Sequence, residues 1–307
     1  MNHKPRVVAI ILLMFIITQF IGLGVINYYS NQDNLLPYGM GFTPEMGSSG
    51  QGLGIIMIAF VIAITIFVLL TNIKAEFFIR MWFFFVVIIA LGIFFYSLTK
   101  NIDIIFYEIP IIATLIGLLF AFFKVFQRNI VIHNFTELLI YPGIAAVFVP
   151  ILNKYSVMIL LVLISIYDVW AVWHSKIMIK MAKYQINKVK AFSGFFVPYI
   201  SKKVGLQIQR MKNSKSKMKN AKIRINVAIL GGGDVIFPII TAGVFLNAFG
   251  TNILQGLFYS MFVIFGAAGG LFYLFLRSEK KKYYPAMPFI TAGIFLGLLV
   301  GWLFSLI

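Results

Sequence analysis

Apolar residues in this chain collect in long runs separated by short polar stretches. A helix rises about 1.5 Å per residue, so about twenty apolar residues cross the roughly 30 Å of hydrocarbon in a bilayer. Runs of that kind fall at residues 7–29, 54–73, 81–98, 104–123, 135–152, 156–175, 225–248, 253–276 and 286–306. Backbone groups inside a bilayer must be satisfied within their own segment, so each run is read as a helix. The expected fold is an all-α membrane protein, a polytopic bundle of nine transmembrane helices. The first run follows Lys4 and Arg6 as a secretory leader would. It is too long for one, and VINYYSNQ offers no small-residue cleavage site, so it is read as an uncleaved helix. No period of 20–50 residues and no inverted-repeat likeness between halves is visible.

Composition agrees with this class: 61% of the 307 residues are hydrophobic and 11% charged. The net charge of +17 matters through its placement, because Lys and Arg lie between the apolar runs. With the N-terminus cytoplasmic and the C-terminus outside, 24 of the 26 basic residues fall on the inner side, leaving Lys100 and Lys154. The positive-inside rule thus supports nine spans in that orientation in a multi-pass protein of the cell membrane, and the basic excess calls for no nucleic-acid partner. The connection 176–224 separates a six-helix part, 1–175, from a three-helix part, 225–307. Its first stretch, KIMIKMAKYQINKVK, reads as a basic amphipathic helix on the inner leaflet, expected to attract anionic lipid, with substrate docking the other reading. The later SKKVGLQIQRMKNSKSKMKNAK is more polar and reads as mobile.

Acids are scarce. Of nine Asp and Glu, most fall in loops or at run ends, and Glu108 and Glu137 fall within the first turns of the fourth and fifth runs. Asp168 and Asp234 remain, in the sixth and seventh runs. Counted at helical rise from the basic cytoplasmic ends, their depths come to about 12 and about 14 Å. Antiparallel neighbours would bring the two carboxyls to one level. Sharing a low-dielectric site, they cannot easily both ionise, so they hold one proton between them. That is the pattern of an aspartic-protease pair, in which one carboxylate activates water and the protonated partner bonds the scissile carbonyl. Gly231, Gly232 and Gly233 let another backbone approach, and Pro238 offers no N–H to the Asp234 carbonyl.

Tyr167-Asp168, then Leu230-Gly231-Gly232-Gly233-Asp234, then Pro285-Ala286-Met287-Pro288 resemble, in order, the YD, GxGD and PAL motifs of the presenilin and signal peptide peptidase superfamily. The resemblance covers the chain in layout. It implies that Asp168 and Asp234 are the catalytic pair of an intramembrane aspartic endopeptidase that cuts transmembrane or signal-peptide helices. It further implies that Tyr167, Leu230, Gly231, Gly232, Gly233, Pro285, Ala286 and Met287 shape the site. The residues themselves call for no cofactor and no metal, and nothing in the chain supplies an obvious partner-binding domain, so no obligatory partner is evident. Met287 stands where PAL has leucine, a volume-conserving change. Pro238 looks more like the signal peptide peptidase branch, and PAMP with an inside N-terminus more like presenilin, as expected of a microbial presenilin-like homologue. Backbone near Ala286 and Met287 is expected to pair with an unwound substrate by strand addition.

Rival readings exist. A proton- or cation-coupled transporter or channel could use the same two carboxylates as a relay. Gly47-Ser48-Ser49-Gly50 spells a rhomboid-like serine motif, but in an outside loop, away from His133 and His174. Three histidines and no cysteine offer no zinc-protease ligand set. Tyr167, His174, Thr241 and Asn247 are further polar groups on the sixth and seventh runs, as fit for interhelical hydrogen bonds as for function.

Overall fold

In a computed structural model, the structure describes residues 5–30, 35–40, 51–127, 129–175, 177–189, 192–199, 226–249, 253–278 and 283–306. Helices dominate: α1 (Pro5–Ser30), α2 (Gln51–Asn72), α3 (Glu76–Thr99), α4 (Ile111–Phe126), α5 (Ile130–Phe148), α6 (Lys154–Val169), α7 (Ile177–Tyr184), α8 (Gly232–Asn247), α9 (Ile253–Arg277) and α10 (Met287–Phe304). Among the described residues, seven helices are long and apolar enough to cross a membrane, and α4 and α8 are shorter apolar helices. Each predicted run overlaps one of these helices. The serine motif at residues 47–50 and the polar stretch 201–222 lie outside the described residues.

Three expectations need correction. The fourth run does not begin as helix: Ile105–Phe106 (β1) and Ile109–Pro110 (β2) form a hairpin. Its two-residue turn, Tyr107 and Glu108, has positive φ at both positions, as a type I′ turn requires, so Glu108 lies in a turn. The Asp103 carboxylate then accepts from the Ile112 and Ala113 amides, both at 2.9 Å, and starts α4. The seventh run likewise opens as strand: Asn226–Gly231 (β4) pairs antiparallel with Gly194–Tyr199 (β3), so the mostly helical bundle also carries short strand pairs. The fifth helix starts at Ile130, capped by the Asn129 side chain, which puts Glu137 two turns inside and fully buried.

The core is built around α8, where Val235 and every residue from Pro238 to Leu246 are buried. It packs against α1, α5, α6 and α9. Lipid tails are as apolar as Leu, so such helices associate through close packing and interhelical hydrogen bonds rather than hydrophobic drive. Both appear here. A side chain on Gly266 or Gly293 would strike the other's carbonyl oxygen, so α9 and α10 touch backbone to backbone. Ser260 Oγ donates to Ala242 O (2.7 Å) and Gln19 Nε2 to Val235 O (3.1 Å), tying α9 and α1 to α8.

Candidate active site

Asp168 closes α6, just before the chain loosens into a π-turn at Trp170–His174. It is 4% exposed. The Met287 amide donates to Asp168 Oδ2 at 3.1 Å, and the Ala286 amide faces the same carboxylate. Pro285, Ala286 and Met287 are all buried, and α10 begins only at Met287. One turn further into the bundle, Ser165 Oγ and Thr291 Oγ1 lie 2.8 Å apart and hold α6 to α10. The proline-flanked turn therefore dips to the level of Asp168, as its two prolines predict. Its amides, however, are spent on Asp168. Pairing of Ala286 and Met287 with substrate, as expected from the sequence, would have to compete with these contacts.

Asp234 sits in the first turn of α8, where the helix dipole favours an acidic group. Its level is set by a strand, not by the helical rise assumed for residues 226–231. Gly231 precedes the helix; its amide points back at the Asp234 carboxylate, and a side chain there would begin 3.2 Å from Oδ2. Gly233 is exposed, Leu230 is buried opposite Phe195, and Asp234 itself is half-buried. The Asp168 and Asp234 carboxyls lie within electrostatic reach of each other. α6 and α8 thus converge on two acids, one held by amides of the α10 entry and one at a helix start. Such a pair can divide acid and base roles over one proton.

Tyr167 lies beside this pair, its ring edge-to-face with Phe60 at 5.5 Å. It lines an apolar cavity of about 250 Å³ between α2 and α6, with Met57, Val61, Leu163 and Ile164. The other polar candidates divide. Asn247 Oδ1 accepts from Ser30 of α1 (2.7 Å), whereas Thr241 bonds within its own helix and His174 is exposed.

The strand pair has two unlike edges. Asn134 of α5 both donates to the Phe196 carbonyl (2.7 Å) and accepts from the Phe196 amide (2.9 Å). The ring of His133 reaches the Gly194 carbonyl at 2.8 Å; a carbonyl only accepts, so Nε2 carries the proton. Phe196 and Gly194 therefore face away from β4. Their antiparallel partners Ile229 and Gly231 must face away from β3, since opposed residues in such a ladder point inward or outward together. Among the described residues, nothing bonds the backbone of Val227 or Ile229 on that outer edge. Among those residues this edge ends at Gly231, whose amide faces the Asp234 carboxylate.

Sequence reasoning missed the cluster behind β3. Lys124 and Glu137 form a fully buried ion pair, and Ser193 Oγ donates to Glu137 Oε2 (3.3 Å). An acid seven residues inside an apolar helix was the available signal.

Comparison with known proteins follows the same lines. The family described as signal-peptide peptidase, presenilin aspartyl protease matches residues 43–307. A solved structure of a presenilin family intramembrane aspartate protease, in a C222 crystal form, is similar with a TM-score of 0.61 and 18% identity, covering 97% of this chain and 99% of its own. A second, in a P2 form, has a TM-score of 0.56 and 19% identity, covering 96% of each chain. No curated protein matches.

Proposed function

Because the chain belongs to the signal-peptide peptidase, presenilin aspartyl protease family, we propose that it is an intramembrane aspartic endopeptidase with Asp168 and Asp234 as its catalytic pair. Its substrates are transmembrane or signal-peptide helices. The carrying observation is the convergence of the two acids, with the Met287 amide donating to Asp168 at 3.1 Å. In this reading one carboxylate takes a proton from water while the other, protonated, bonds the scissile carbonyl; the proton then passes to the leaving amine. The topology that goes with it has nine spans, α4 and α8 included, in the cell membrane with the N-terminus cytoplasmic. The 176–224 connection then lies inside, where exposed Lys180, Lys183 and Lys188 suit anionic lipid.

A substrate helix hides its carbonyls in its own hydrogen bonds, so cleavage requires an unwound stretch with new backbone partners. The outer edge of β4 supplies them by strand addition and leads the extended peptide toward Asp234. Tyr167, Leu230, Gly231, Gly232, Gly233, Pro285, Ala286 and Met287 shape the site around this strand. The test uses purified protein in liposomes with a transmembrane peptide labelled at both ends. Asp168→Asn and Asp234→Asn should each abolish cleavage while thermal unfolding stays near that of the unmodified protein. Normal turnover in either variant removes the proteolytic reading and favours an ion or proton relay.

A further inference from the structure

A strand edge presents N–H and C=O groups that need partners away from bulk water, and on β3 side chains of one helix supply them. Asn134 imitates a neighbouring strand residue by donating and accepting at Phe196. His133 completes the row at Gly194. Behind them the network is continuous. Lys124 Nζ reaches His133 Nδ1 at 3.4 Å and pairs with Glu137. Glu137 accepts from Ser193 Oγ, and Tyr141 OH stands 3.5 Å from the same oxygen. The Ser193 carbonyl in turn accepts the Gly232 amide at 3.3 Å. Gly232 is the first residue of α8, two before Asp234. A side chain at 232 would begin 2.7 Å from Ser193 Oγ and 3.1 Å from Tyr141, so a larger residue would push on both side chains of the network.

We propose that Asn134, assisted by His133, is a positioning residue: it fixes the β3–β4 pair against α5 and thereby sets the height at which Asp234 and the open β4 edge meet an extended substrate. The inference rests on the proteolytic reading above. It differs from a role in general stability because it concerns register. A strand held at one edge by two specific hydrogen bonds cannot slide, whereas one held only by Phe195, Val197 and Leu230 packing can shift, and a shift presents a different peptide bond to the acids.

The test uses the full chain in liposomes with the doubly labelled transmembrane peptide, products read by mass spectrometry. Asn134→Leu keeps the volume and removes both bonds. It should lower kcat about 10- to 100-fold, the scale of a small misplacement of reacting groups, and spread cleavage onto neighbouring bonds. His133→Leu should do the same more weakly, with His133→Gln, which retains a donor, restoring the single cut. Independently of activity, amide exchange in 194–199 and 226–231 should quicken at least about tenfold in Asn134→Leu, as loss of two hydrogen bonds implies, while α8 and α9 remain protected. Unchanged exchange in the strand pair overturns the inference whether or not the protein cleaves. So does an unchanged rate at an unchanged bond. A wild-type protein that cleaves nothing, with exchange still quickened in the variant, removes the proteolytic reading instead and leaves Asn134 as the anchor of the β3–β4 pair.

Discussion

Lys124 and Glu137 are opposite charges sealed in an apolar bundle, with side-chain exposures of 1% and 0%. Removing two charges from water is costly, and their attraction recovers that cost only while both remain. Glu137→Ala should therefore destabilise the fold by about 3–5 kcal/mol, since it leaves a lone buried ammonium. The double change Lys124→Met with Glu137→Leu should cost far less or nothing. Thermal or denaturant unfolding of the three proteins in one detergent checks this; equal loss in the single and double variants would show that packing, not charge, dominates the site. The pair also marks where the sequence stops being legible at this scale. Asp168 and Asp234 stand out as acids deep in apolar runs. Glu137 is fully buried, but a run starting at 135 puts it in a first turn, with polar His133 and Asn134 before it. They are polar because they bond a strand more than sixty positions later, a partnership that no local pattern reveals.

Among the elements, helices were readable from hydropathy and strands were not. An apolar run reports burial in lipid or protein without distinguishing a 3.6-residue period from a two-residue one when every position is apolar. The start of the seventh run did carry a hint, β-branched residues alternating at Ile225, Val227 and Ile229, which suits a pleated surface. The β3–β4 pair then lets single prolines separate the two sides of β4. Ile229 turns its N–H outward, so Ile229→Pro keeps the ladder to β3 and removes a group from the open edge. Ala228 turns inward toward Val197, so Ala228→Pro breaks the ladder itself. Expected outcomes differ in kind. Ile229→Pro should retain near-normal thermal stability with a raised KM or lost cleavage, whereas Ala228→Pro should lose stability and activity together. Unaltered cleavage kinetics in Ile229→Pro would remove strand addition at this edge from the mechanism.

At the scale of the molecule, packing is uneven, and the unevenness points to how a substrate gets in. Half of the spanning segment through α6 is buried against the rest of the protein, but only 6% of that through α2. α2 nevertheless covers the side of the bundle where Tyr167 precedes Asp168, with Phe60 against Tyr167 and the cavity between them. That cavity, about 250 Å³, is far too small for a helix roughly 10 Å across. A transmembrane substrate entering by this side must therefore displace something, and of the two helices lining the cavity α2 has the less buried contact and is the cheaper to move. α8, α9 and α10 are poor candidates, being locked by backbone-to-backbone contact at Gly266 and Gly293 and by the Ser260 and Ser165 hydrogen bonds. The chain contains no cysteine, so a tether is simple to install. With cysteines at Phe60 and Tyr167 joined by a short bis-methanethiosulfonate linker, cleavage of the bilayer-spanning peptide should stop. Reductant should restore it to the level of the unlinked double variant, and neither single variant should respond to the linker. Turnover that continues with α2 tethered would mean that substrate reaches Asp168 and Asp234 by another side of the bundle, and the weak packing of α2 would then serve only its contact with lipid.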